Sequence, residues 1–352
     1  MVLDQRMKSD KPHPCNSDVV SLNLSGNLLC CWEDVASITK QLEGLQELQL
    51  SDNRLCIPAD PQNLAHAFIN LRVLALNSTA VICGRKQTEV PICPSTHVIS
   101  IQVLRCAPMW PLLEELYVCE NEITELHRPK NVLQNLKVLD LSKNSLAGGN
   151  ELLNIAELPR LEKLNLSSTG LSTLQFNDVG PGCKTAMFPA LKFMSLDDNA
   201  ISEWSVVNEL EKLASLQQLS CHRNPLIEQD RTPETTRQLF IARIGQLQVL
   251  NKSEVMREER KGAELDYCKM FCVMWLGSGG NRDPELDRPS GEFVEQHPRF
   301  QSLIRSEQST HGLRAQTVIV RAGTPAVNKP SEEQRSQALD SFLLDQGWET
   351  YW

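Results

Sequence analysis

The sequence lacks several features that would assign it to a common class of protein. Its 352 residues contain no apolar run near the ~18 residues of a membrane-spanning helix. The first residues, MVLDQRMKSDKPHP, have no apolar core of the kind found in secretory signal peptides. Acidic residues outnumber basic ones by 44 to 35, and binding to nucleic acid or an anionic membrane needs the opposite balance. We therefore predict a cytoplasmic protein with neither nucleic acid nor membrane as a partner.

Signatures of catalysis are also missing. Residues 277–281, GSGGN, are rich in glycine, but no Gly-Lys-Ser/Thr follows them, so they do not form a phosphate-binding loop. Neither a G-x-S-x-G elbow nor an H-E-x-x-H motif occurs. The twelve cysteines include no C-x-x-C pair, and we interpret them as reduced, mostly buried thiols. The sequence thus predicts no enzyme, no metal site and no cofactor.

What the chain does contain is a repeated spacing, L-x-x-L-x-L-x-x-N-x-L. It appears as LEELYVCENEI at 113–123 and as LKVLDLSKNSL at 136–146, and neither helical nor simple alternating periodicity explains it. Eight registers follow this pattern, and their first residues are Val19, Leu45, Leu71, Leu113, Leu136, Leu161, Leu191 and Leu216. A weaker ninth register, LQVL, begins at 247. This is the signature of a leucine-rich repeat.

The ninth position of the repeat is asparagine in six registers and threonine in two. The asparagines are Asn27, Asn53, Asn121, Asn144, Asn199 and Asn224, and the threonines are Thr79 and Thr169. After its short strand the chain turns inward, which carries backbone N–H and C=O groups away from water. An amide side chain can satisfy both kinds of group, so stacked repeats should form an asparagine ladder.

Between the strands, some segments have apolar residues at helical spacing. CWEDVASITKQL places Trp32, Val35 and Ile38 on one face, and EWSVVNELEKL places Trp204 and Val207 at the same offsets. We interpret each coil as strand, turn and helix, with the two tryptophans packing helix against sheet. The predicted fold is an α/β leucine-rich-repeat solenoid, a curved parallel sheet with helices on its convex side.

The same pattern sets the predicted domain boundaries. We expect a mobile N-terminus over 1–18, repeats over 19–250 with an insertion at about 82–100, and a helical cap over 251–276. Residues 277–352 should be a linker and a largely disordered tail, with one strand-like run, QTVIVRA, and one short helix candidate. A second surface loop is expected around Gly-Pro-Gly at 180–182.

The outward residues of the strands should line the concave face. An ordinary solvated face and a partner-binding face are both compatible with such residues, and the partner-binding interpretation centres on Tyr117, Asp140 and Phe193 because aromatic side chains are enriched in binding hot spots. The other candidate residues of this surface are Glu115, Asn165, Asp197 and His222. We expect the protein to be a monomer.

Some stretches are more specific than the repeat. KTAMFPALK at 184–192, EERKGAELDY at 258–267 and GEFVEQHPRF at 291–300 resemble the tubulin-folding cofactor E family, over roughly residues 19 to 300. The resemblance implies a chaperone associated with the cytoskeleton. Such a protein binds α-tubulin, works with other tubulin-folding cofactors and assists heterodimer assembly or dissociation without a nucleotide site of its own.

The sequence departs from the family pattern at both ends. Members usually begin with a CAP-Gly domain and end with a ubiquitin-like domain, and neither is recognisable here. The resemblance therefore implies contact with α-tubulin through the repeats, but not the tail-dependent capture that CAP-Gly provides. Two alternatives stay open: an E-like paralogue that disrupts tubulin, and a general repeat scaffold or regulatory subunit inferred from the fold alone.

Overall fold

The computed structural model describes residues 18–79, 103–128, 130–146, 148–227 and 232–310. The chain divides into two compact units, residues 1–260 and 261–352. The predicted insertion at 82–100, most of the N-terminal segment and the tail after 310, with its strand and helix candidates, lie outside the described residues.

The first unit is built on one ten-stranded sheet whose strands follow the order of the chain. Strands β1 to β9 are parallel to their neighbours, and β10 pairs antiparallel with β9. The strands are β1 Ser21–Asn23, β2 Glu47–Gln49, β3 Val73–Ala75, β4 Glu115–Tyr117, β5 Val138–Asp140, β6 Lys163–Asn165, β7 Phe193–Ser195, β8 Gln218–Ser220, β9 Val249–Leu250 and β10 Ser253–Glu254. One strand per repeat in a continuous parallel sheet confirms the predicted α/β leucine-rich-repeat solenoid.

The segments between strands differ more from one another than the sequence predicted. Helices α1 Trp32–Thr39 and α2 Trp204–Glu211 form where we expected them, and α3 Pro233–Arg243 follows β8. Three other coils contain 3-10 helices, over Pro61–Ala67, Val103–Met109 and Gly149–Asn154. The described segments between β4 and β5 and between β6 and β7 contain no helix. The prediction of a helix in every coil was therefore wrong, because several connections are too short or too rich in turn residues for a stable α-helix.

The core consists of the apolar columns of the repeat. Side chains at the fourth position are at most 1% exposed from the second register to the eighth, from Leu48 to Leu219. In the first register, by contrast, Leu22 is only half-buried. The two tryptophans pack against aromatic side chains of helical segments in other coils, since the Trp32 ring lies 5.8 Å from that of Phe68, at the end of a 3-10 helix, and the Trp204 ring lies 5.3 Å from that of Phe240 in α3. These contacts join helical segments to one another, whereas we predicted contacts between helix and sheet.

The asparagines form hydrogen bonds between coils. The Asn144 amide donates to the carbonyls of Val118, in the preceding coil, and Leu141, in its own, at 3.0 and 2.8 Å. Its Oδ1 accepts the backbone N–H groups of Asn121 and Ile123, both at 3.0 Å. Asn53, Asn121, Asn199 and Asn224 bond in the same way, and all are at least nine-tenths buried.

Two positions of this ladder differ from the rest. Asn27 is exposed, and its amide bonds only to Leu24 and Ser25 of its own coil, because no described coil precedes it. Thr79 and Thr169 are buried, and each hydroxyl donates to a leucine carbonyl, of Leu50 and Leu166 respectively. Threonine thus replaces part of the bonding, as its single hydroxyl allows.

The residue before each asparagine or threonine has a left-handed backbone. Its φ is +68° at Gly26 and between +49° and +59° at the corresponding residues Asp52, Ser78, Glu120, Lys143, Ser168, Asp198 and Arg223. Only the first coil uses glycine there, although this conformation costs other residues ~1–2 kcal/mol. The inward turn of each of the other seven coils is therefore locally strained, and the ladder holds it in place.

The second unit contains helices where we expected a linker. Helix α4 Arg257–Gly277 crosses the boundary between the units, and α5 Gly291–Gln296 and α6 Phe300–Thr310 follow it. Trp275 and Phe300 are fully buried, and Phe293 is nearly so. The Trp275 indole donates to the buried carboxylate of Asp287 at 3.1 Å. The predicted linker beginning at residue 277 is therefore wrong for residues 278–310, because Phe293 and Phe300 form a small core with Trp275.

Nine described cysteines are free, and only four of them are buried. The prediction of mostly buried thiols was thus too broad. Cys221 occupies an apolar column of the repeat and is 1% exposed, whereas Cys30 and Cys183 lie outside the helices and strands and are exposed.

Replacing Asn144 by alanine should lower the free energy of unfolding by about 3 kcal/mol or more, because several buried backbone groups lose their partners at ~1–3 kcal/mol each. The same change at exposed Asn27 should cost less than about 1 kcal/mol, because water can replace its bonds. Chemical denaturation followed by circular dichroism measures both. Equal losses at the two positions would contradict the ladder.

Glycine usually destabilises a helix or strand relative to alanine, but at position 168 we expect glycine to be the more stabilising of the two. Ser168→Gly should be more stable than Ser168→Ala by about 1 kcal/mol, because only glycine adopts the left-handed conformation without strain. Thermal melting of the two variants tests this comparison, and an alanine variant at least as stable as the glycine variant would refute it.

Candidate functional surface

The outward residues of strands β1 to β8, together with the residues two positions beyond each strand, form a surface that we call the strand face. Its central row lies in register across the sheet and consists of Asn23, Gln49, Ala75, Tyr117, Asp140, Asn165, Ser195 and Ser220. Glu115 and Phe193 belong to the adjacent row, and Asp197 and His222 follow the ends of β7 and β8. The sheet therefore brings all seven candidate residues to one face.

The candidate residues separate into two groups along this face. Tyr117, Glu115, Asp140 and Asn165 occupy the neighbouring strands β4 to β6, with Phe193 on β7. Since strands lie ~4.8 Å apart, the strands that carry Tyr117 and Phe193 are about 14 Å apart across three spacings. Asp197 and His222 form the second group at the end of the face.

Tyr117 is held in place by its neighbour in the same strand. Its hydroxyl donates to Oε2 of Glu115 at 2.6 Å, and the side chain is half-buried. Burial raises the pKa of Tyr117 to about 12, with further contributions from the hydrogen bond to Glu115 and the negative charges of Glu115 and Asp140. The tyrosine therefore presents a neutral, oriented ring.

Asp140 is the centre of a chain of polar contacts that runs across three strands. One oxygen accepts from the backbone and the hydroxyl of Ser142, at 2.9 and 2.6 Å, and the other accepts from the Asn165 amide at 3.0 Å. Asn165 in turn accepts from the Ser167 hydroxyl at 2.7 Å, and that hydroxyl lies 2.8 Å from the hydroxyl of Ser195. Both carboxylate oxygens are engaged, so this part of the face has a fixed pattern of donors and acceptors.

A similar arrangement fixes the second group. The Asp197 carboxylate accepts from the Ser220 hydroxyl at 2.8 Å and from the backbone N–H of His222 at 2.7 Å. Because the serine bonds to the aspartate directly and the histidine contributes only its backbone, these residues do not form a nucleophile–base pair. The described residues also include no group of three side chains able to hold a metal ion.

A charge pattern beside the strand face was missed by the sequence analysis. The residues just before β3 to β7 alternate in sign, and they are Arg72, Glu114, Lys137, Glu162 and Lys192. Glu114 contacts Arg72 at 2.5 Å and Lys137 at 2.6 Å, and Glu162 contacts Lys192 at 2.9 Å. The hydrogen bonds from Lys137 and Arg72 hold the pKa of Glu114 below its usual value. The hydrogen bond from Lys192 does the same for Glu162. The alternation of charge can be read from the sequence, at the second position of the third to the seventh register.

The motifs behind the family resemblance contribute mainly structural contacts. In KTAMFPALK, the Lys184 ammonium donates to Glu211 Oε1 at 2.7 Å and the Thr185 hydroxyl donates to Asp178 at 2.6 Å. In addition, Lys212 donates to the carbonyls of Phe176 and Val179, which fixes the start of the predicted loop. In this loop the described residues 180–184 are exposed, but its two ends are held by buried groups.

EERKGAELDY has a structural role of the same kind. Glu259 pairs with Arg237 of α3 at 2.6 Å, and this pairing lowers the pKa of Glu259. Further along the motif, the Tyr267 hydroxyl lies 2.8 Å from Nδ1 of the buried His297, which belongs to GEFVEQHPRF. Two of the resemblance motifs thus contact each other within the second unit.

Glu115→Gln should lower the pKa of Tyr117, because the substitution removes a negative charge that stabilises the neutral phenol. Ultraviolet titration of tyrosinate, compared with the same titration in a Tyr117→Phe background, isolates this group. Control titrations of Glu47→Gln, on β2, should leave the Tyr117 transition where it is. An unchanged Tyr117 transition in Glu115→Gln would contradict the described contact.

The comparisons with known proteins agree with the motifs. Tubulin-specific chaperone E of Danio rerio is 54% identical over 287 residues, which is 82% of this chain and 52% of the relative. The Homo sapiens protein of the same name is 48% identical over 286 residues, 81% of this chain and 51% of the relative. No protein-family model matches the chain. Among solved structures, human trophoblast glycoprotein is 20% identical with a TM-score of 0.44, covering 69% of this chain and 81% of its own.

No helix within the described residues is long and apolar enough to cross a membrane. The chain spans about half the length of the curated relatives it matches. Over about four-fifths of its own length, this chain is a homologue of tubulin-specific chaperone E.

Proposed function

We propose that this chain is a tubulin-binding chaperone module. It holds α-tubulin on the strand face and assists heterodimer assembly or dissociation together with other tubulin-folding cofactors, in the cytoplasm and at the cytoskeleton. The observation that carries the proposal is the 48–54% identity to proteins named tubulin-specific chaperone E. The role is one of binding, without covalent chemistry or a cofactor.

The strand face has the composition of a protein-binding surface. Tyr117 and Phe193 supply two half-buried aromatic side chains, the residue type most enriched at hot spots. The polar row between them is already hydrogen-bonded around Asp140 and Asn165. Side chains that are ordered before binding lose little entropy when a partner docks, so the arrangement favours association.

The proposal predicts that purified chain retains purified tubulin heterodimer in a pulldown. The double variant Tyr117→Ala/Phe193→Ala should weaken the affinity at least about tenfold, because a hot-spot truncation costs about 2 kcal/mol or more. The double variant Ile69→Ala/Met256→Ala is the matched control. Both of its residues are more than half exposed and lie outside the strands, so its affinity should be unchanged.

Tyr117→Phe separates the ring from its hydroxyl and should retain most of the binding. Melting curves of every variant establish that the repeats are intact. Failure of the unmutated chain to retain tubulin would refute the function. If the aromatic double variant and the control variant retain equal amounts of tubulin, the strand face is not the binding surface. A pulldown from cytosol that yields another enzyme and no tubulin would favour the scaffold alternative.

A further inference from the structure

The acidic residues of the strand face have hydrogen-bond donors within the protein. In the part of the face that β4 to β8 form, these residues are Glu115, Asp140 and Asp197. Each accepts at least one hydrogen bond from a neighbouring side chain or backbone N–H, at distances from 2.6 to 3.0 Å. Their lone pairs are therefore at least partly engaged before any partner arrives.

The same part of the face contains a single lysine and no arginine. Lys163 lies on β6, and its side chain is exposed. Its ammonium group forms neither a hydrogen bond nor an ion pair with any residue that the structure describes. Glu162, which precedes it in the chain, bonds to Lys192 at 2.9 Å instead, and Lys137 of the preceding coil pairs with Glu114 at 2.6 Å. Lys163 is thus a positive charge without internal compensation on this part of the face.

The neighbours of Lys163 across the sheet are apolar. Val138 on β5 and Phe193 on β7 are its register partners, each one strand spacing of ~4.8 Å away. Both are half-buried. A partner that covers Val138 and Phe193 must also remove water from the ammonium group between them. Loss of that water is unfavourable for an unpaired charge, but it strengthens the attraction between two opposite charges.

We propose that Lys163 determines specificity on the strand face, and that the docked surface of α-tubulin places a carboxylate side chain against its ammonium group. The inference rests on the proposed function, because it concerns the same face and the same partner. In this arrangement Phe193 and Tyr117 supply apolar contact area, whereas Lys163 fixes the orientation in which the two surfaces meet. A surface without an acidic group at that place would leave the ammonium buried and unpaired, and it would bind less tightly.

The affinity for purified tubulin heterodimer tests this inference. Lys163→Glu should weaken binding at least about tenfold at low salt, because it opposes two negative charges. Lys163→Met removes the charge and keeps an unbranched side chain, so it should weaken binding less, whereas Lys163→Arg should retain the affinity of the unmutated chain. The matched control is Lys130→Glu, an equal change of charge at an exposed residue between β4 and β5, and its affinity should be unchanged. The effect of Lys163→Glu should decrease as salt is raised, because ions screen the interaction.

A carbodiimide cross-link identifies the partner's group directly. This reagent joins a lysine amine to a carboxylate in contact with it, with loss of water and no spacer. Mass spectrometry of the cross-linked complex should find Lys163 joined to an aspartate or glutamate of α-tubulin. Lys163→Arg should bind tubulin but lack this cross-link, because a guanidinium group does not form the amide bond.

The outcomes separate this inference from the proposed function. Tubulin that binds the unmutated chain and Lys163→Glu equally overturns the inference and leaves the proposed function in place. Equal weakening by Lys163→Glu and Lys130→Glu also overturns it, because the effect would then be one of net charge. Failure of the unmutated chain to bind tubulin refutes the proposed function, and this inference with it. The cross-link needs no folded variant, so its absence from a complex that does form contradicts the contact even if Lys163→Glu is unstable.

Discussion

The structure of the repeats depends on one recurrent interaction, the hydrogen bonding of a buried amide side chain to backbone groups of two successive coils. After three residues of strand, each coil turns inward through a residue with left-handed backbone. That turn is unfavourable for every residue type used there except glycine. The side-chain amide compensates by bonding to five groups at Asn144 and to six at Asn199, nearly all of them backbone groups. Each coil is thereby held in register with the one before it, and the outward strand residues are aligned as a consequence.

The residues that identify the family and those that form the strand face have different tasks. Lys184, Thr185 and Glu259 join loops and helices through ion pairs and hydrogen bonds within the first unit. Tyr267 and His297 do the same in the second. Such contacts tolerate little change in side-chain geometry, so the sequences of these stretches are more specific than the repeat pattern. These three stretches do not include the strand-face candidates, so a resemblance based on them leaves the proposed binding residues to be argued separately.

The sequence was sufficient for the strands, their register and the buried columns, because the repeat spacing constrains every one of these features. Helices α1 and α2 were also predictable, since Trp32 and Trp204 begin clear amphipathic segments. The 3-10 helices were not, because segments such as Gly149–Asn154 are too short for a period to appear. The second unit was missed for a different reason. Its core joins aromatic residues from Tyr267 to Phe300 across a Gly- and Pro-containing stretch whose composition alone indicates a linker.

For the strand face, the sequence could place side chains on a common surface but could not establish their contacts. Alternation in the strand puts Tyr117, Asp140 and Asn165 outward, yet nothing in the spacing shows that Asp140 bonds to Asn165 or that Glu115 holds the tyrosine ring. These contacts depend on distances between neighbouring coils, which the ladder fixes only after folding. Under the proposed function, the ladder therefore contributes to binding as well as to stability. A coil that lost its register would still expose the same side chains, but the ordered row on which the proposed low-entropy docking depends would be broken at that coil.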